Sequence, residues 1–127
     1  MNLPEAKVKE LESWLLENEL MDEGDYLEDT VRGDYYPIYI DQVRGHYYFT
    51  NQRIVFFSGI LGSSNFSIKY SDIKAIKKSF IGPLLPFGVT ITAFNAEKGK
   101  DKKYKLSLSS RKKWLELFSK KSGVTYQ

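Results

Sequence analysis

The stretch Gly45-His46-Tyr47-Tyr48-Phe49-Thr50-Asn51-Gln52-Arg53-Ile54-Val55-Phe56-Phe57-Ser58 decides the fold of this chain. Two dense runs of aromatic and β-branched residues suit a pleated, half-buried surface. The polar Thr50-Asn51-Gln52-Arg53 between them is a turn, in which Asn51 can take a left-handed backbone at low cost. The unit is therefore a glycine-led β-hairpin. Ile54 to Phe57 is apolar on both faces, so something has to cover its outer side.

On the C-terminal side, Phe66, Ile68 and Tyr70 alternate with Ser67 and Lys69 in a strand with one buried face. Ser71-Asp72 turns the chain, Ile73 to Phe80 is the next strand, and Val89 to Phe94 is the sixth. Tyr104, Leu106 and Leu108, alternating with Lys103, Lys105 and Ser107, make the seventh. Ser110 to Lys120 is a helix capped by Ser109 or Ser110 and stopped near Gly123, with Trp114, Leu117 and Phe118 on its buried face.

On the N-terminal side, Tyr26 to Gly33 forms the first strand. Asp34 to Val43, with Tyr35-Tyr36-Pro37, is a loop or an irregular edge strand, since proline cannot donate to a ladder. Residues 4–20 are an amphipathic helix, with Asn2 as its cap and Glu5 at capping-box spacing. Its stripe of Val8, Leu11, Trp14 and Leu15 is the nearest apolar surface for the outer side of Ile54–Phe57. Seven short antiparallel strands suggest a closed or nearly closed barrel or sandwich, one end plugged by the terminal helix. The expected organisation is a helix over 1–22 packed on a domain over 23–122, followed by a tail over 123–127.

The chain has 127 residues and no cysteine, which bounds it to one domain and excludes disulfides and thiolate chemistry. Glu5, Lys7, Lys9 and Glu10 interrupt the first segment, so no secretory signal is visible and a cytoplasmic location is expected. Residues 79–96 carry no charge, yet Gly82, Pro83, Pro86 and Gly88 break any spanning helix there. The net charge of +3 hides a split. Residues 1–45 hold twelve acidic and four basic residues, a net −8, and residues 46–127 hold four acidic and fifteen basic, a net +11. Such a division fits two oppositely charged faces, self-complementary packing or an anionic partner.

Three blocks in order resemble the GRAM and bacterial PH-like domains of the pleckstrin-homology superfold. They are the opening hairpin; Ile68-x-Tyr70-x-Asp72-Ile73-x-x-Ile76-x-Lys78; and Tyr104-x-Leu106 followed by Arg111-x-x-Trp114. The resemblance covers about residues 25–120 and leaves the N-terminal helix as an addition. It implies a mainly β, seven-stranded PH-like barrel or sandwich capped by a C-terminal helix. It also implies binding of phosphoinositides, other lipids or protein segments, and no catalysis. The basic pattern that phosphoinositide-binding PH domains place across the first hairpin is thin here, with only Arg32 and Arg44 among Asp29, Asp34 and Asp41.

No catalytic residue, metal site or cofactor is expected. The single histidine, His46, alternates with Tyr48 and Thr50 toward the outside, without a nucleophile elbow, and the acidic residues lack calcium-loop spacing. The anionic-ligand candidates are Lys98, Lys100, Lys102, Lys103, Lys105, Arg111, Lys112 and Lys113. The last three sit in the first turn of a helix, where the macrodipole disfavours cations. The competing view is that lysines simply keep a strand edge soluble and unpaired. Apolar contact candidates are Ile60, Leu61, Ile81, Leu84 and Leu85, in loops where polar turn residues are usual. Nucleic acid fits poorly, because no RNP, KH or helix-turn-helix pattern accompanies the lysines. The chain reads foremost as a protein-interaction or self-association adaptor. The alternative is a peripheral binder of anionic membranes, in which the lysines attract and the apolar loops insert.

Overall fold

The structure, a computed structural model, describes residues 3–37, 41–59, 64–81 and 85–127, without the side chains of Ile81 and Leu85. Helix α1 (Glu5–Glu17) precedes strands β1 (Leu27–Tyr35), β2 (Val43–Thr50), β3 (Arg53–Phe57) and β4 (Phe66–Lys69). A 3₁₀ turn (Tyr70–Asp72) leads to β5 (Ile73–Ile81), β6 (Leu85–Asn95), β7 (Lys100–Ser107) and helix α2 (Arg111–Ser122). The seven antiparallel strands follow the order β4-β3-β2-β1-β7-β6-β5. This is the PH-like sandwich with a C-terminal helix and an added N-terminal helix that the sequence implies. Asp34 and Tyr35, expected in a loop or an irregular edge strand, end β1 and pair with Ser107 and Leu106, turning the sheet from one half to the other. A buried tyrosine ring makes that extension worthwhile, for Tyr35 packs 4.6 Å from Phe66 and 5.6 Å from Phe56.

The corner needs two glycines. Gly33 and Gly45 face each other across β1 and β2. A Cβ on Gly33 would lie 2.8 Å from the Ser107 carbonyl oxygen, and one on Gly45 2.5 Å from that of Phe57. Beside them Tyr47, Phe49, Ile54 and Phe56 point inward and are fully buried with Ile91, Leu106 and Leu108. α2 closes this core with Trp114, Leu115 and Phe118. The Trp114 ring sits 4.7 Å from Phe49, and its Nε1–H donates to the Ser109 carbonyl at 2.9 Å. Leu117, expected among the buried residues of α2, is only half-buried at the margin.

The polar turn is built from side chains. Fully buried Thr50 accepts the N–H groups of Gln52 and Arg53 at its Oγ1, at 3.1 and 3.0 Å. Asn51 is not left-handed. It pairs with Tyr26 in both directions, accepting the Tyr26 N–H at Oδ1 (2.8 Å) and donating its own N–H to the Tyr26 carbonyl (3.1 Å). Arg53 reaches Asp25 at 2.9 Å and Asp22 at 2.7 Å, tying the linker after α1 to the hairpin.

Helix α1 ends before the expected residue 20, because Glu19 adopts φ +58° and turns the chain. Its N-cap is Pro4, with no side-chain cap bond; Asn2 lies outside the described residues. The helix covers β3 as its doubly apolar character requires. Leu15, Met21, Leu27 and Val55 form a second core, with Trp14 4.8 Å edge-on to Phe57. Full burial of Leu15 and Val55 contributes about 1.5–3 kcal/mol each. Glu12 fastens the helix further by accepting the Leu27 N–H at 2.7 Å.

At the other terminus, Ser110 is the N-cap of α2, but in a left-handed conformation with no side-chain cap bond, so neither serine caps as expected. Gly123 stops α2 at φ +76°. The chain then returns to β5, where Gln127 donates to the Ile76 carbonyl and accepts from the Lys78 N–H, at 3.0 and 2.8 Å.

Four core tyrosines make stability sensitive to alkali. Burial, with Tyr104 adding, raises the Tyr35 phenol from its usual 10 to about 12. Burial also raises Tyr47, Tyr70 and Tyr104. Each folded value exceeds the unfolded one, so the associated stability is complete below about pH 10 and is lost as pH climbs through the folded values. The core phenolates are expected to form only together with loss of circular dichroism. Ionisation of all nine tyrosines with an unchanged fold would contradict this packing.

Candidate binding surfaces

The basic cluster divides into two parts. In α2, Arg111 donates through Nη1 to the carbonyls of Ser79 (3.1 Å) and Gly88 (3.4 Å), serving as a brace for the β5–β6 hairpin. Lys113 pairs with Asp29 at 3.4 Å and lies 4.4 Å from the Trp114 ring centroid. These internal acceptors explain cations in the first turn of a helix without an external anion. Lys112 is exposed and lines a 240 Å³ recess with Lys78, Arg111, Leu115 and Tyr126.

The strand lysines differ. Lys103 and Lys105 lie on the outer face of β7, opposite Thr92 and Thr90, which pair on their other side with Ala75 and Lys77 of β5. Lys98 and Lys100 stand exposed at the β6–β7 turn. Lys102 points the other way, 5.0 Å from the Tyr104 ring, and partial burial reinforced by Lys98 pushes its ammonium pKa down. Lys74 pairs with Asp101 at 3.1 Å. The outer face of β5–β7 thus carries Lys74, Lys77, Lys103 and Lys105 around two threonines.

Of the apolar candidates, Ile60, Leu61 and Leu84 lie outside the described residues, as do the side chains of Ile81 and Leu85. The residues bordering the second loop are informative: Phe80 is 59% and Phe87 44% exposed, next to exposed Pro86. Two partly exposed aromatic residues thus flank one hairpin end. They are the two ends of the apolar 80–87 run that the sequence places between two strands.

A further site escapes a reading of the sequence. Where α1 crosses the hairpin, a 760 Å³ cleft opens, floored by Trp14, Tyr48 and Phe57 and edged by His46, Glu10 and Glu17. It continues past Gly45, His46 and Ser58 into a 530 Å³ cleft with Arg32, Arg44, Asp34 and Gln42. Gln42 Nε2 donates to Asp34 at 2.7 Å. His46 is exposed, as its alternation implies, but it stands at the junction of both clefts. The only trace of this site in sequence is the tryptophan on the stripe of α1.

Among the described residues no cluster of three or more His, Asp or Glu is placed to hold a metal, and no helix is long and apolar enough to cross a membrane. No protein-family model matches the chain, and no curated protein matches it by sequence. Solved structures do. The C-terminal domain of an unknown protein from Leishmania infantum aligns with a TM-score of 0.67 at 16% identity, covering 91% of this chain and 97% of that one. The pleckstrin homology domain of human KIAA0053 protein aligns at 0.58 and 12% identity, covering 78% and 91%. The DH/PH domains of PDZ-RhoGEF, solved in complex with activated RhoA, align at 0.65 and 14% identity, covering 85% of this chain and 32% of theirs. At these identities the likeness concerns the fold, and that fold is PH-like.

Proposed function

We propose that this chain is a non-catalytic PH/GRAM-like binding module that docks on anionic membrane surfaces through its β5–β7 face. The observation carrying this reading is the pairing of exposed Phe80 and Phe87 with a lysine-bearing outer face on the same three strands. Lysines near an anionic surface contribute about 1 kcal/mol each, and aromatic side chains partition into the interfacial layer. The lysines of the β6–β7 turn and of β7 are thus the attracting group, and the β5–β6 end is the inserting one.

Sedimentation with phosphatidylserine-containing and pure phosphatidylcholine vesicles, at low and high salt, tests it. Binding is expected only to the anionic vesicles and only at low salt. Lys77→Gln/Lys103→Gln is expected to weaken it roughly thirty-fold, from about 1 kcal/mol per lysine. Phe80→Ser/Phe87→Ser is expected to weaken the low-salt binding to anionic vesicles as well, by removing the inserting rings. Equal binding to both vesicle types would sink the membrane assignment. A second reading, self-association, is favoured by the division into a −8 and a +11 segment. It requires a light-scattering mass that rises with protein concentration and falls with salt, without vesicle binding.

A further inference from the structure

From the cleft between α1 and the β2–β3 hairpin we infer a second, independent binding site, for a protein segment carrying an arginine or lysine side chain. Three aromatic rings form its floor. Trp14 stands edge-on to Phe57 with centroids 4.8 Å apart, Tyr48 lies 6.0 Å from Trp14, and His46 stacks 6.1 Å from Tyr48. All three floor residues are half-buried, so part of each ring remains open. A wall of aromatic faces attracts cations through the ring quadrupoles, and more strongly where water is partly excluded. Glu10 and Glu17, two turns apart on α1, put carboxylates on the same edge. Both are exposed; among the described residues Glu10 has a loose 3.7 Å contact with the solvent-facing Lys7. Aromatic floor plus carboxylate rim is the complement of a long cationic side chain, whose stem packs on the rings while its head meets the acids.

The continuation of the cleft sets the rest of the occupant. Past His46 the strip carries Arg32 and Arg44, with Asp34 engaged by Gln42. Arg44 is two residues from His46 on β2, about 7 Å along the strand. An extended segment with its cation over Trp14 thus brings an acidic residue, a few positions away, to the two guanidiniums. The volume of the first cleft lies within the usual span of ligand pockets, and its floor is preformed by the second core under α1. This surface belongs to α1 and the outer side of β1–β3, not to the β5–β7 face, so it stands or falls separately from membrane docking.

The chain contains one histidine, which gives a site-specific probe. Nuclear magnetic resonance titration follows the His46 ring and the Trp14 indole N–H against a capped peptide with arginine at one end and glutamate at the other. A control peptide has glutamine in place of the arginine. Both resonances are expected to shift saturably with the arginine peptide. Affinity is expected to fall about tenfold with the glutamine peptide, and by a similar factor in a Glu10→Gln/Glu17→Gln variant. That variant changes only exposed side chains, so its fold is expected to stay intact in the spectrum. Equal affinity for both peptides, an undiminished response in the variant, or no shift of either resonance would overturn the assignment.

Discussion

Arg53→Met is expected to destabilise the fold by about 3–5 kcal/mol, because it leaves the carboxylate of Asp25 buried without its cation. Arg53 is 11% and Asp25 only 5% exposed, and their 2.9 Å ion pair sits beneath the turn that Thr50 organises. Asp22, 70% exposed, can find water instead and adds little. The cost therefore comes from stranding a charge rather than from losing an attraction. Arg53→Met combined with Asp25→Leu is accordingly expected to recover most of the loss, since a buried ion pair often equals a packed apolar pair. Denaturant unfolding of the two single variants and the double variant measures this. A double variant as unstable as Arg53→Met would show that the guanidinium itself is indispensable. Because the pair holds the linker after α1, the single variant is also expected to shift Trp14 emission toward that of a solvated indole.

Trp114→Ala is expected to cost a similar amount, about 3–5 kcal/mol, through the cavity left in the open end of the sandwich. The ring is 3% exposed, rests on Phe49 and sends its N–H to the Ser109 carbonyl. For a domain of this size the melting temperature should fall on the order of 15 °C. Trp114→Phe fills most of the volume and forfeits one hydrogen bond, so about 1–2 kcal/mol is expected there. Thermal unfolding followed by far-ultraviolet circular dichroism compares them. A loss below 1 kcal/mol for the alanine variant would mean that α2 does not seal the core.

The fold was legible because its core side chains follow the strand period closely. Tyr47 and Phe49, then Ile54 and Phe56, alternate inward, and Val55 on the other face asks for α1. Local capping was legible only in part. Gly123 ends α2 through a left-handed conformation that glycine announces, whereas Ser110 takes the same conformation with no such sign. The acidic partners of Arg53 and Lys113 were hidden because they come from the linker before β1 and from β1 itself, joined only by folding. The same holds for the clefts. Trp14, Tyr48 and Phe57 belong to three elements, and no spacing rule links a helix stripe to the outward face of a hairpin. What the sequence suggests as one basic cluster is two: Arg111 and Lys113 of α2 meet acceptors of the protein itself, and Lys103 and Lys105 of β7 face out.

The return of the chain end to β5 bears on how copies of this protein can meet. A strand at the margin of a sheet is a template for another molecule, which can add its own strand and begin a fibril. Here Gln127 occupies the backbone groups of Ile76 and Lys78, while Lys74, Lys77 and Lys78 line the same strand with positive charge. β5 is therefore guarded twice against sheet-to-sheet growth. Another strand adding at this margin would have to displace Gln127 and meet the lysines.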